Sequence, residues 1–162
     1  MIKYFLIALV LLTPILALSD ARAKKELSFE TLYTDVYAWA ATEQQFLVIT
    51  DDSEWASFRS EYEIQAYFED FNHFFLIAAF QGYKPTGGYG IEITRMVQDE
   101  NVVTVTVYLK EPKPGEPVTE AFTSPCHIVK VAKSEVTKSG EILFIFLNVR
   151  GEELCRIKKV IA

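Results

Sequence analysis

Ten residues, Gln81-Gly82-Tyr83-Lys84-Pro85-Thr86-Gly87-Gly88-Tyr89-Gly90, set four glycines and one proline between two apolar runs, and they limit the possible folds more than any other stretch. The preceding run, Phe74-Phe75-Leu76-Ile77-Ala78-Ala79-Phe80, is too short to span a membrane and too continuous for a strand with a solvent face. It predicts a central strand. The run that follows, Ile91-Glu92-Ile93-Thr94, alternates apolar with polar as a half-buried strand does. Pro85 fixes its own φ and biases Lys84 towards extended geometry, while Gly87 and Gly88 can adopt positive φ. The loop between the two strands is therefore expected to hold one defined shape.

The rest of the chain reads mostly as strands. Leu27 to Tyr33 predicts a first strand and Gln45 to Thr50 a second, β-prone one that ends at Asp51-Asp52-Ser53, where side-chain oxygens can cap a helix. Trp55, Phe58 and Tyr62 then fall on one stripe at helical spacing, so one short helix is expected over residues 53–62, with a further helical turn around Gln65 to Phe71. Beyond the glycine loop, Ile91, Ile93 and Val97 are expected on one face and Glu92, Thr94 and Gln98 on the other. Asp99-Glu100-Asn101 then turns the chain into the strand Val102 to Leu109. Pro112-Lys113-Pro114-Gly115-Glu116-Pro117 cannot lie in a central strand, because three of its six residues lack a backbone donor. Strands follow at Cys126 to Val131, Ile142 to Leu147 and Leu154 to Val160. The expected class is α+β, mainly antiparallel β with about eight strands, sandwich- or barrel-like, with one short helix.

Lys3 precedes an apolar run from Tyr4 to Leu12, and Ala21-Arg22-Ala23 supplies a small-x-small pattern, so residues 1–23 are expected to be a cleaved signal peptide and residues 24–162 a single domain. The expected location is periplasmic or secreted, with no stable membrane anchor once the leader is removed. Losing Lys3, Arg22 and Asp20 with the leader takes the net charge from −6 to −7. That balance argues against a nucleic-acid partner, whose phosphates call for clustered Lys and Arg. Two cysteines remain, Cys126 and Cys155. In an oxidising compartment they could form a disulfide; the alternative is two separately buried thiols.

No catalytic constellation accompanies the loop. Gly82 and Gly87 stand at P-loop spacing, yet Gly88 and Tyr89 occupy the positions that need Lys and Ser or Thr. His73 and His127 lie in unrelated segments with no ligand at a recognised spacing, so no metal site and no cofactor is expected. There is no Gly-x-Ser-x-Gly elbow, and the carboxylate pairs Glu69-Asp70 and Glu152-Glu153 read as solvated charge. Among the abundant aromatics, Tyr83, Tyr89 and Trp39 could form flat contact surfaces, the two tyrosines being carried by a loop on a rigid scaffold.

Lys84-Pro85-Thr86-Gly87-Gly88-Tyr89 followed by Ile91-Glu92-Ile93, a hairpin, a Pro-Gly loop, and Thr123-Ser124-Pro125 with His127-Ile128-Val129-Lys130-Val131 together resemble the PrcB C-terminal domain family. The likeness extends over nearly all of the chain after Ala23. Cys126 departs from it, standing where the family usually has an aromatic. The family is named for a subunit of a secreted protease complex that supports the protease without being a peptidase. The resemblance therefore implies an exported, non-enzymatic binding domain whose partner is another protein, a protease by extrapolation. On that reading the contact residues are Tyr83, Lys84, Pro85, Thr86, Gly87, Gly88 and Tyr89. A second reading is a peptidase inhibitor, because Pro85-Thr86-Gly87-Gly88-Tyr89 is similar to the Asn-Pro-Thr-Thr-Gly-Tyr loop of chagasin-type inhibitors. Lys84 replaces the Asn, Gly87 replaces the second Thr, and the later Arg-Pro-Trp element is missing.

Overall fold

The computed structural model describes residues 23–137 and 140–162, so all but the last residue of the expected leader lies outside the described residues. In chain order the elements are β1 (Lys25–Glu26), β2 (Glu30–Asp35), β3 (Gln45–Ile49), α1 (Asp52–Tyr62), β4 (Phe74–Phe80), β5 (Gly90–Asp99), β6 (Val102–Lys110) and β7 (Cys126–Ala132). A 3-10 turn (Lys133–Glu135) then leads to β8 (Gly140–Asn148) and β9 (Glu153–Ile161). They form a five-stranded sheet in the order β1-β5-β6-β8-β9 and a four-stranded sheet in the order β2-β7-β4-β3. All neighbours are antiparallel except β6 and β8. The two sheets stay open, so the fold is a sandwich and not a barrel, with α1 on the outer face of the smaller sheet.

β4 explains its own sequence. Phe75, Ile77 and Ala79 point into the core between the sheets, while Leu76, Ala78 and Phe80 point into a second core beneath α1. A strand covered on both faces has no polar side to display, hence the unbroken apolar run. β7, its neighbour, alternates likewise, with Val129 and Val131 facing the larger sheet and Cys126 and Ile128 facing the helix. The helix forms as its stripe predicts. Asp51 accepts a hydrogen bond from the Glu54 N–H at 2.9 Å, and Glu54 reaches back to accept from the Thr50 N–H at 2.9 Å, satisfying two backbone donors at the helix start. Trp55, Phe58 and Tyr62 are buried and stack in sequence towards Phe80, with Phe58 to Tyr62 and Tyr62 to Phe80 both at 5.0 Å between centroids.

Four expectations are corrected. The expected first strand begins later, at Glu30, as β2 on the edge of the smaller sheet; a separate β1 before Leu27 edges the larger sheet, and the chain crosses between them around that buried residue. The helical turn around Gln65 to Phe71 does not form, and Ile64, Ala66 and Phe71 instead pack as an irregular segment in the helix-side core. In β5 the register shifts between Ile93 and Arg95. The extra residue at this bulge reverses the later alternation, burying Met96 and Gln98 and leaving Val97 half-exposed. Gln98 is nonetheless satisfied, accepting from the Thr137 N–H and donating to the Glu100 carbonyl. Finally, Cys126 and Cys155 are not bridged. Cys126 lies in the smaller sheet facing α1, whereas Cys155 lies on β9 of the larger sheet against the other core, so a layer of packed side chains separates the two thiols.

Candidate functional site

The glycine loop leaves β4 at the end of the smaller sheet and is tied down along its length. The Gln81 N–H donates to the Pro125 carbonyl at 2.9 Å. Lys84 and Thr123 exchange backbone hydrogen bonds at 2.8 and 3.0 Å, an isolated antiparallel bridge. The Thr123 hydroxyl donates to the Thr86 carbonyl at 2.9 Å, and the Gly87 N–H donates to the Thr119 carbonyl at 2.9 Å.

Two glycines are required by this close approach. At Gly82, where φ is +75°, a Cβ would stand 2.7 Å from the backbone carbon of Glu43, and at Gly87 it would stand 2.3 Å from the Thr119 hydroxyl. The two Pro-Gly loops converge, since a Cβ on Gly88 would meet the Pro112 and Val118 side chains at 3.1 and 2.9 Å.

The Thr123-Ser124-Pro125 element is a clasp. Its Thr123 holds the glycine loop, while Ser124 holds a third segment, Val36 to Thr42. The Ser124 N–H donates to the Val36 carbonyl at 2.8 Å, and its carbonyl accepts from the Ala38 N–H at 3.0 Å. The Ser124 hydroxyl, fully buried, donates to the Ala41 carbonyl at 2.7 Å. From the other side, the Asp35 carboxylate accepts the Val36 and Tyr37 N–H groups at 2.7 and 3.0 Å and the Tyr33 hydroxyl at 2.8 Å. Burial and that carboxylate push the Tyr33 phenol up to about 12. Two motifs about 40 residues apart in sequence thus meet in space, which explains why both are needed to define one structural unit.

The clasp displays aromatic rings. Tyr37, Trp39, Tyr83 and Phe122 are exposed by 50, 43, 50 and 68 %, unusual for rings of this size. Tyr37 packs on Trp39 at 5.3 Å, Trp39 meets Tyr83 at 6.1 Å, and Trp39, Tyr83 and Phe122 enclose a hollow of about 350 Å³. Of the residues singled out from the sequence, Tyr83 and Pro85 are exposed, Lys84, Thr86, Gly88 and Tyr89 are half-buried, and Gly87 is buried. Trp39 joins Tyr83, as a shared contact surface requires. Tyr89 instead lies under the Lys84 ammonium, which sits 5.6 Å from its ring centre. Tyr37 and Phe122 were missed, because only the clasp brings them beside the loop; the sequence signal for Phe122 was its place directly before the Thr-Ser-Pro element, and Tyr37 carried none.

The polar groups nearby are committed to structure. His127 is buried, and both ring nitrogens are engaged: Nδ1 accepts from the Ile93 N–H at 2.9 Å, and Nε2 lies 2.9 Å from the Thr31 hydroxyl. Burial lowers its pKa from the usual histidine value, against a smaller opposing effect of Glu92. Burial pushes the Cys126 thiol up to about 12, so it is no nucleophile near neutral pH. Among the described residues, no three His, Cys, Asp or Glu side chains gather as a metal-binding group, and no helix is long and apolar enough to cross a membrane. The surface presents exposed rings on a hydrogen-bonded backbone. Residues 75–132 match the family described as PrcB C-terminal, the family resembled by the sequence; the matched span runs from β4 through β7. No curated protein and no solved structure matches the chain.

Proposed function

We propose that this chain, its residues 75–132 being a PrcB C-terminal segment, is an exported, non-enzymatic accessory domain that docks a secreted protease at the end of the sandwich where the glycine loop, the Pro-Gly loop and the aromatic segment meet. One observation carries the reading: the Lys84 to Tyr89 stretch is held by hydrogen bonds to Thr119 and Thr123 while large rings stand exposed beside it. A surface ordered before contact loses little conformational entropy on binding, and exposed Tyr and Trp side chains are the residues that most often anchor protein interfaces. A photo-crosslinker in place of Tyr83, followed by recovery of adducts from the envelope fraction, tests it. The expected outcome is a protease adduct that the Trp39→Ala variant lowers at least tenfold. Equal recovery with and without Trp39 would refute it.

The inhibitor reading is favoured only by the exposure of Pro85 and the likeness of the tip residues. A loop that fills a protease cleft projects from its scaffold, whereas Gly87 is packed against Thr119 here. Titration against papain-like and subtilisin-like proteases separates the readings; inhibition at micromolar protein would favour the inhibitor.

A further inference from the structure

We propose that the hollow between Trp39, Tyr83 and Phe122 binds a quaternary ammonium group of the choline type, without a phosphate. Trp39 and Tyr83 form two walls inclined at 64°, and Phe122 supplies a third. Tyr37 backs Trp39 at 32° between ring planes. Steeply inclined walls make a box and not a slot, a shape suited to a rounded group more than a planar one. The backbone beneath the rings is ordered, since the Tyr83 N–H donates to the Thr42 carbonyl at 3.0 Å and the Ser124 clasp fixes the neighbouring turn.

The chemistry of the lining selects the cation. The only hydrogen-bond acceptor among the three lining side chains is the Tyr83 phenol oxygen. A primary ammonium brings three donors, a guanidinium five and a sugar several hydroxyls, and the lining side chains offer them a single acceptor. A quaternary ammonium has no donor to leave unpaired, and ring faces attract its charge. The net charge of the chain, −6, has the matching sign. The loop's own cation, Lys84, is placed over Tyr89. A net negative charge draws cations in and disfavours an adjoining phosphate. The assignment does not depend on whether the domain meets a protease.

Trp39 provides the readout, because it is 43 % exposed and the other tryptophan, Trp55, only 3 %. Titrating the purified protein with choline is expected to change Trp39 emission saturably. Choline should bind about fivefold or more tightly than its neutral isostere 3,3-dimethyl-1-butanol, than ethanolamine and than phosphocholine. Tyr83→Leu and Phe122→Leu should each weaken choline about fivefold while leaving the melting temperature unchanged, both rings being exposed. Any of four results would overturn the assignment: no saturation, equal binding of the neutral isostere or ethanolamine, phosphocholine binding as tightly as choline, or choline binding untouched in both variants.

Discussion

Replacing Ser124 by Ala should loosen the surface without unfolding the domain. The Ser124 hydroxyl and the Ala41 residue whose carbonyl it meets at 2.7 Å are both fully buried. Alanine removes one oxygen and leaves that carbonyl without this donor in a place water does not reach. Losing a buried hydrogen bond in this way costs about 1–3 kcal/mol, against about 5–15 kcal/mol for the stability of a typical domain. With a urea dependence of about 2 kcal/mol per molar, the unfolding midpoint should fall by about 0.5–1.5 M. Hydrogen exchange should accelerate first at Ala38, whose N–H donates to the Ser124 carbonyl, and at Ala41, before the β4 amides are affected. Thr123→Ala, which removes the hydroxyl bonded to Thr86 at 2.9 Å, provides the partner for a double-mutant cycle. If one element clasps both segments, the two changes should couple by about 0.5 kcal/mol or more. A midpoint shift below about 0.2 M, or strict additivity with Thr123→Ala, would refute the clasp.

Gly82→Ala should cost about 2–4 kcal/mol, since it combines a left-handed φ with a Cβ 2.7 Å from the Glu43 backbone; equilibrium unfolding within 1 kcal/mol of the parent would contradict the close approach. For His127, whose folded pKa is lowered, the unfolded chain takes up a proton more readily, so its contribution is full above about pH 6.5 and is lost as the pH falls through the depressed value. Urea midpoints from pH 7.5 to 5.5 should therefore decline for the parent and flatten for His127→Gln, and parallel curves would exclude the His127 to Ile93 bond as the cause. Because both thiols are free, reducing agent should leave the melting temperature unchanged. An aromatic disulfide reagent should label the half-exposed Cys155 of the native protein and reach Cys126 only on unfolding, and a molecule with no titratable thiol when denatured would disprove this.

How far the sequence could be read follows from how local each determinant is. β4 and α1 were legible because their patterns arise from what they bury: six successive buried residues from Phe75 to Phe80, and the Trp55, Phe58, Tyr62 stripe. The bulge beside Thr94 was not, since one inserted residue reverses alternation without changing composition, and Gln98 reads as a surface residue until Thr137 and Glu100 are seen to satisfy it. β1 was hidden for a related reason: Lys25 and Glu26 are charged, and only their pairing with Gln98 and Val97 makes them a strand. The site was half visible. Its glycines and its Thr-Ser-Pro element announce fixed backbone, but the gathering of Tyr37, Trp39, Tyr83 and Phe122 brings together residues as far apart in the chain as Trp39 and Phe122. The cysteine alternatives stayed open in the sequence for a geometric reason: an oxidising compartment would permit pairing, and only the layer assignment separates the two thiols.

The parallel pairing of β6 with β8 bears on how the molecule can be cut. Between those strands the chain leaves one layer to lay down β7 in the other and then returns, so neither layer is contiguous in sequence. A fragment trimmed to residues 75–132 would keep β4 to β7 but lose β1, β2, β3, α1, β8 and β9, baring one flank each of β4, β5, β6 and β7. Unpaired apolar flanks of this kind recruit copies of themselves. Soluble expression should accordingly need boundaries well outside the matched span, from Lys24 through Ala162, with assembly of the two layers occurring as a single cooperative event.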